Sequence, residues 1–213
     1  MTTNVQRSEG LRQRKQRMNR AALSHATIRL CMLRGWENVT IDDIAAAANV
    51  SPRTFRNYFS SKAEAVAAGH LERMLRIADC LRARPVREDL WTAITNSVAE
   101  QFERPEQKSR STGDVKKWLE QIRFLFKEPA IRGEVLKAAA SAQDELAKVI
   151  AHRIRGKRAS DLYPRLASAV VVAVVGVVQE QWLHRGPTGS IVPLLRLAFD
   201  QVAAGLPEKV APK

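Results

Sequence analysis

Residues Val39 to Lys62, VTIDDIAAAANVSPRTFRNYFSSK, constrain the fold more than any other stretch, because they encode two short helices and the tight turn between them. Thr40 offers an N-cap hydroxyl, and Asp43 three residues later offers the carboxylate that completes a capping box and suits the positive helix end. Ile41, Ile44, Ala45 and Ala48 then form a helical apolar stripe. The stripe stops at Asn49-Val50, where asparagine tolerates the left-handed backbone of a sharp turn. Ser51 follows as a second N-cap, and Pro52 takes the first helical position, where its missing N–H has no intrahelical partner to lose. Phe55 and Phe59 share one face of the new helix; Arg53, Arg56 and Asn57 fall on the other side, with Tyr58 between. Arginine and asparagine make bidentate contacts to guanine and adenine edges, so this layout is that of a DNA-reading helix-turn-helix. Ser61 and Glu64 repeat the capping box and start another helix at about Lys62.

The stretch from about Arg17 to Val66 resembles the DNA-binding domain of the TetR (AcrR-like) family of bacterial transcriptional regulators. The likeness rests on Gly35, on TIDDIA at Thr40 to Ala45, on VSPRTFRNYF at Val50 to Phe59, and on Ser61-Lys62. It covers roughly the first third of the chain. Cys31 stands where the family often has an aromatic, and Asn49 where it usually has glycine. Both departures are mild: cysteine is a small buried hydrophobe, and asparagine is the next-best residue for a left-handed turn. The resemblance implies an all-α protein, with an N-terminal three-helix DNA-binding domain and a C-terminal helical domain that binds a small effector and dimerises. It implies phosphate contacts from Thr40, Thr54, Tyr58 and Lys62; Ser51 belongs to the same DNA-binding surface, and Arg53, Arg56 and Asn57 are the base-reading candidates. Pro52 is placed to press on a thymine methyl.

Charge points the same way. The 213 residues carry a net +13, which favours a polyanionic partner. Arg7, Arg12, Arg14, Lys15, Arg17 and Arg20 face only Glu9 near the N-terminus, and this basic segment, Arg14 and Arg17 above all, is expected to hold phosphates. Only Cys31 and Cys80 occur, without a pairing pattern or a secretory signal, so a reducing cytoplasm is expected. The longest apolar run, Leu166 to Val178, is about thirteen residues against the roughly twenty that span a bilayer, and reads as a buried helix with no membrane partner.

The rest of the chain alternates helical patterns with breakers, and no strand pattern competes. Helices are expected over 11–34, from Lys62 to about Arg84, and over 88–102, 114–126, 129–155, 160–184 and 191–204, giving about nine with the two short ones. The segment 105–113 reads as a loop. The domain division is a flexible basic arm at 1–10, the DNA-binding domain at 11–62, the effector-binding and dimerisation domain at 63–205, and a flexible tail at 206–213. The last two helices are apolar over more of their circumference than one core needs. By resemblance, Ala169, Ala173, Val174, Val177, Leu194, Leu195 and Phe199 pair with a second subunit in a four-helix bundle. A two-fold dimer reads both halves of a palindrome.

His25, His70, His152 and His184 lack metal-ligand spacing, and neither a phosphate-binding glycine loop nor a nucleophile elbow occurs. No catalytic residue, metal or cofactor is expected. Met74, Trp91, Ile94, Trp118 and Phe124 are the candidates to line an effector cavity, although an aromatic at helical spacing is more often plain core. The basic balance leaves room for an anionic effector, a lipophilic acid or its thioester being the first guess. The reading is a repressor released from a palindromic operator by a small molecule. Its rivals are a non-specific polyanion binder of nucleoid or membrane surfaces and an enzyme hidden in the C-terminal helices.

Overall fold

The computed structural model describes residues 3–103, 125, 127–154, 162–185 and 190–207, with only the backbone described at 3–15 and 17. Among them are eight helices and no strand: α1 (Thr3–Arg34), α2 (Ile41–Ala47), α3 (Pro52–Tyr58), α4 (Lys62–Ala83), α5 (Leu90–Phe102), α6 (Pro129–Arg153), α7 (Leu162–His184) and α8 (Val192–Ala203). Most helix ends fall within about two residues of the breakers read in the sequence. The expected helix at 114–126 and the loop at 105–113 lie outside the described residues, Leu125 excepted.

One boundary differs clearly. The first helix begins at Thr3, so 3–10 is helical backbone where a flexible arm was expected. No proline lies before Leu11, and although Thr3, Asn4, Val5, Ser8 and Gly10 are weak helix formers, a helix already nucleated adds residues at modest cost. At its other end Gly35 takes φ +84 and donates its N–H to the Cys31 carbonyl at 2.9 Å, a left-handed C-cap.

Two compact units form, one from Met1–His70 with Phe124–Ala138, the other from Leu71–Arg123 with Ala139–Lys213. The first has its own core of Leu23, Ile44, Phe55, Phe59, Val66 and Ile131. Ala63, Ala65, Val66 and Ala68 belong to that core, which moves the boundary from Lys62 to His70. The second unit is built around Met74, Ile77, Ile94, Leu146, Ile150, Val171, Leu195 and Phe199, with α8 packed on both α5 and α7.

The hydroxyl of Ser24 on α1 is buried in the first unit without a hydrogen-bond partner among the described residues, 3.8 Å from where a side chain on Gly69 of α4 would begin. An unsatisfied buried hydroxyl costs about 1–3 kcal/mol. Ser24→Ala is therefore expected to raise the melting temperature followed by circular dichroism, and a lower one would refute this account of the α1–α4 contact.

At 23 residues, α7 extends beyond the thirteen-residue apolar run and is long and apolar enough, by length and composition only, to cross a membrane, a test that the core helix of a soluble protein also passes. Only 33% of its most apolar window is buried within the protomer. Pro164, Ala167, Ser168, Val171, Val175 and Val178 form the inward stripe. On the other side Leu162, Leu166, Ala173 and Val177 are exposed.

Candidate nucleic-acid interface

The helix-turn-helix is assembled by local hydrogen bonds that the sequence announces. Thr40 Oγ1 accepts the Asp43 N–H at 3.1 Å, and Asp43 Oδ2 accepts the Thr40 N–H at 2.9 Å, closing the capping box. The Thr40 hydroxyl and N–H, both donating to Asp43 Oδ2, with Arg34 nearby, hold the Asp43 carboxyl below the usual carboxylate range. Asn49 takes φ +53, as expected, and the Val50 N–H reaches the Ala45 carbonyl at 2.9 Å. Ser51 Oγ then accepts the Thr54 N–H at 3.1 Å, with Pro52 in the first turn of α3.

Burial sets the orientation of α3. Phe55 and Phe59 are fully buried, their ring centroids 5.7 Å apart and the planes tilted by 50°, a pair worth about 0.5–1.5 kcal/mol beyond its buried area. Arg53, Arg56 and Asn57 are thereby left exposed together on the outer side, with Pro52, Thr54 and Tyr58 half-buried along its edges. No carboxylate stands within salt-bridge distance of Arg53 or Arg56 among the described residues. This is a short exposed helix carrying two guanidinium forks and an amide, the donor set that reads base edges in a major groove.

The expected phosphate contacts are placed unevenly. The Thr40 hydroxyl donates to Asp43, so contact with a phosphate through it requires that bond to open. Ser51 and Thr54 share a hydrogen bond of 2.9 Å between their hydroxyls. Tyr58 accepts from Asn19 Nδ2 at 3.1 Å and keeps its own proton to donate. Lys62 donates to the carbonyls of Trp36 and Val39 and lies 4.0 Å from the centroid of the Trp36 ring, which leaves one of its three ammonium protons for a phosphate. Arg14 and Arg17 lie on α1, outside the residues whose side chains are described.

The Ser61-Glu64 box forms with a shift: Glu64 N–H reaches Ser61 Oγ at 3.0 Å, but the Glu64 carboxylate bonds Ser60, both N–H and hydroxyl at 2.8 Å. Burial works against ionising this carboxyl, yet those two bonds and the nearby Arg20 outweigh it and hold it below its ordinary value. Cys31 is buried, and desolvation pushes its thiol up to about 11 against the opposing charge of Lys62. It is expected to resist alkylation in the native protein at neutral pH, and native stability is expected to decline as pH rises from 9.0 toward about 11, where only the unfolded thiol ionises. Mass spectrometry after iodoacetamide treatment, with and without urea, checks the first of these.

In the second unit Met74 and Ile94 are 1% and 0% exposed and sit inside the packed core. Trp91 packs half-buried against that core, while Trp118 and Phe124 lie outside the described residues. A surface cleft of about 520 Å³ opens instead between α4 and α5, lined by Arg76, Asp79, Cys80, Arg84, Glu100 and Gln101 among others. Its polar groups largely bond one another: Arg76 to Gln101 at 3.3 Å, Cys80 to Glu100 at 3.1 Å, and Arg84 to Glu88 at 2.9 Å. Among the residues expected between subunits, Leu195 and Phe199 are each 1% exposed inside the protomer's own core and are corrected to core positions. Ala173 and Val177 are exposed, and Ala169, Val174 and Leu194 are half-buried.

Known proteins share this arrangement. Residues 23–68 match the family described as bacterial regulatory proteins, tetR family, and residues 88–207 match the one described as MftR C-terminal domain. The HTH-type transcriptional regulator TcmR of Streptomyces glaucescens is 29% identical over 205 residues, covering 96% of this chain and 90% of TcmR. MftR of Mycobacterium tuberculosis, a regulator named for mycofactocin biosynthesis, is 28% identical over 190 residues, covering 86% of this chain and 89% of its own. Thermus thermophilus FadR, a TetR-family transcriptional repressor solved in complex with lauroyl-CoA, shares the fold with a TM-score of 0.55 at 19% identity, over 91% of this chain and 98% of FadR.

Proposed function

Because the chain belongs to the TetR family of bacterial transcriptional regulators, we propose that it is a cytoplasmic homodimeric repressor, released from a palindromic operator by a small lipophilic anion. The observation that carries this reading is the exposed trio Arg53, Arg56 and Asn57 on a helix that is capped at Ser51 and held by two buried phenylalanines. Those three read bases. Arg14, Arg17, Thr40, Ser51, Thr54, Tyr58 and Lys62 surround them as backbone contacts, and Pro52 supplies the apolar one.

The dimer is formed by the outer faces of α7 and α8. Ala173, Val177 and Leu197 are exposed there, and Gly176 lies in mid-helix with open space around it. Glycine at that place weakens a helix by about 1 kcal/mol relative to alanine, and a close-packed partner helix offsets the loss. Two protomers about a two-fold axis bring two α3 helices to adjacent half-sites.

The effector binds in the second unit, with Trp91 on its path. The net charge of +13 favours an anionic head, and the relative FadR was solved with lauroyl-CoA. An effector that fits only a conformation with mis-spaced readers weakens operator binding by linkage, and a coupling of about 1–3 kcal/mol switches occupancy. No catalysed reaction is proposed.

Selection of duplexes from a random pool by the purified protein tests the DNA half. Two-fold related half-sites are expected, and equal retention of scrambled duplex would make this a non-specific polyanion binder. Lauroyl-CoA and free laurate, added to the complex with the selected duplex, test the effector half. Tight binding of either by thermal shift without release of the duplex removes that compound as effector.

A further inference from the structure

We infer that Arg20 is a positioning residue for DNA reading: it orients the α3 helix from inside the protein and is not one of the phosphate contacts of the basic segment. The inference rests on α3 being the reader. By sequence Arg20 is one more cation of that segment, yet the structure turns it inward, with a side chain only 31% exposed.

Its guanidinium meets three groups where α3 gives way to α4. Nη1 donates to the Tyr58 carbonyl at 3.0 Å, Nη2 lies 3.6 Å from Glu64 Oε1, and the guanidinium carbon stands 4.5 Å from the Phe59 ring centroid. Tyr58 is the last residue of α3, and its carbonyl is among those that a helix leaves without an internal partner. A cation there also complements the negative end of the helix dipole. Phe59, whose N–H still bonds the Phe55 carbonyl at 2.9 Å, leaves the helix in extended conformation, φ −142 and ψ 133, so the α3 hydrogen-bond ladder stops at the joint with α4. Glu64 closes the arrangement by accepting from the Ser60 N–H and hydroxyl. Beside Arg20, Asn19 donates to the Tyr58 hydroxyl at 3.1 Å.

One turn of α1 thus grips the last residue of the reading helix at its carbonyl and at its side chain. Arg56 and Asn57 precede that residue directly, so any tilt permitted at Tyr58 displaces them from base edges. A planar fork serves the carbonyl, the carboxylate and the ring at once, which the single ammonium of lysine does not.

Binding of a selected operator duplex and of a scrambled duplex is compared at several salt concentrations for Arg20→Gln, Arg20→Lys and Glu64→Gln. Positioning predicts that all three lose operator affinity by about tenfold, the scale of one bidentate base contact, with scrambled-duplex affinity nearly unchanged and the salt slope altered by much less than one. A phosphate contact predicts otherwise. Arg20→Gln would weaken both duplexes alike and flatten the slope by about one, Arg20→Lys would keep affinity, and Glu64→Gln would strengthen both by removing an anion; that pattern overturns the inference. Should Arg20→Gln fail to fold, Glu64→Gln decides, since it takes no cation away. Failure of the underlying reading shows separately, as unchanged operator preference after Arg56→Ala with Asn57→Ala.

Discussion

Arg56→Ala combined with Asn57→Ala is expected to erase most of the preference for operator over scrambled DNA while leaving the protein folded. Both side chains are exposed, and neither is held by a hydrogen bond or ion pair among the described residues, so their truncation removes no internal contact. Exposed substitutions of this kind usually change stability by no more than about 0.5 kcal/mol. Each good bidentate base contact is worth about 1–3 kcal/mol of discrimination, and two-fold symmetry applies every loss twice. The double variant is therefore expected to bind operator at least about a hundredfold more weakly, approaching its affinity for random sequence. The cationic phosphate contacts are untouched except for the charge of Arg56, so scrambled-duplex binding falls much less. Fluorescence anisotropy with both duplexes at one fixed salt concentration measures the ratio. An unchanged ratio would exclude Arg56 and Asn57 as base readers.

What the sequence makes legible here is chemistry that closes over three to five residues. The Thr40-Asp43 box, the left-handed Asn49, the Ser51 cap and the Phe55-Phe59 pair all follow from neighbours along the chain, and all are found. Contacts that span the fold are not legible. Lys62 meets carbonyls 26 and 23 residues away, and Arg20 meets one 38 residues away, so two cations that sequence alone assigns to DNA are partly or wholly engaged inside the protein. A capping box read correctly as a pattern still misplaced one hydrogen bond, since the Glu64 carboxylate follows the turn to Ser60. Helix faces were the hardest case. Where α7 and α8 are apolar over much of their circumference, periodicity does not say which side a protomer buries: Leu195 and Phe199 share one expectation with Val177, yet the protomer buries the first two and exposes the third. The same ambiguity covers Met74 and Ile94, which the fold buries in the core of the second unit.

Val177→Glu is expected to turn the dimer into a folded monomer that no longer holds its operator. Val177 is 64% exposed in the protomer, so a glutamate there stays hydrated in the isolated chain and leaves its core intact. Val174 is a poorer site for this test, since it packs against the protomer core and a charge there damages folding as well as association. In the proposed two-fold bundle the new carboxylates are forced into an apolar seam without a cation, and an unpaired buried charge costs several kcal/mol. Losing the second subunit also removes bivalency, which multiplies the affinity of one reader by about 10²–10⁴. Sedimentation of the variant is expected to give a monomer with an unchanged helical circular dichroism spectrum, and operator binding is expected to fall to the level of a single weak half-site. Val86→Glu supplies the matched control, because Val86 is 74% exposed and lies on neither α7 nor α8. It adds the same charge and is expected to remain dimeric. A Val177→Glu protein that still sediments as a dimer at low concentration would move the interface off this face of α7, and the open space around Gly176 would then need another explanation.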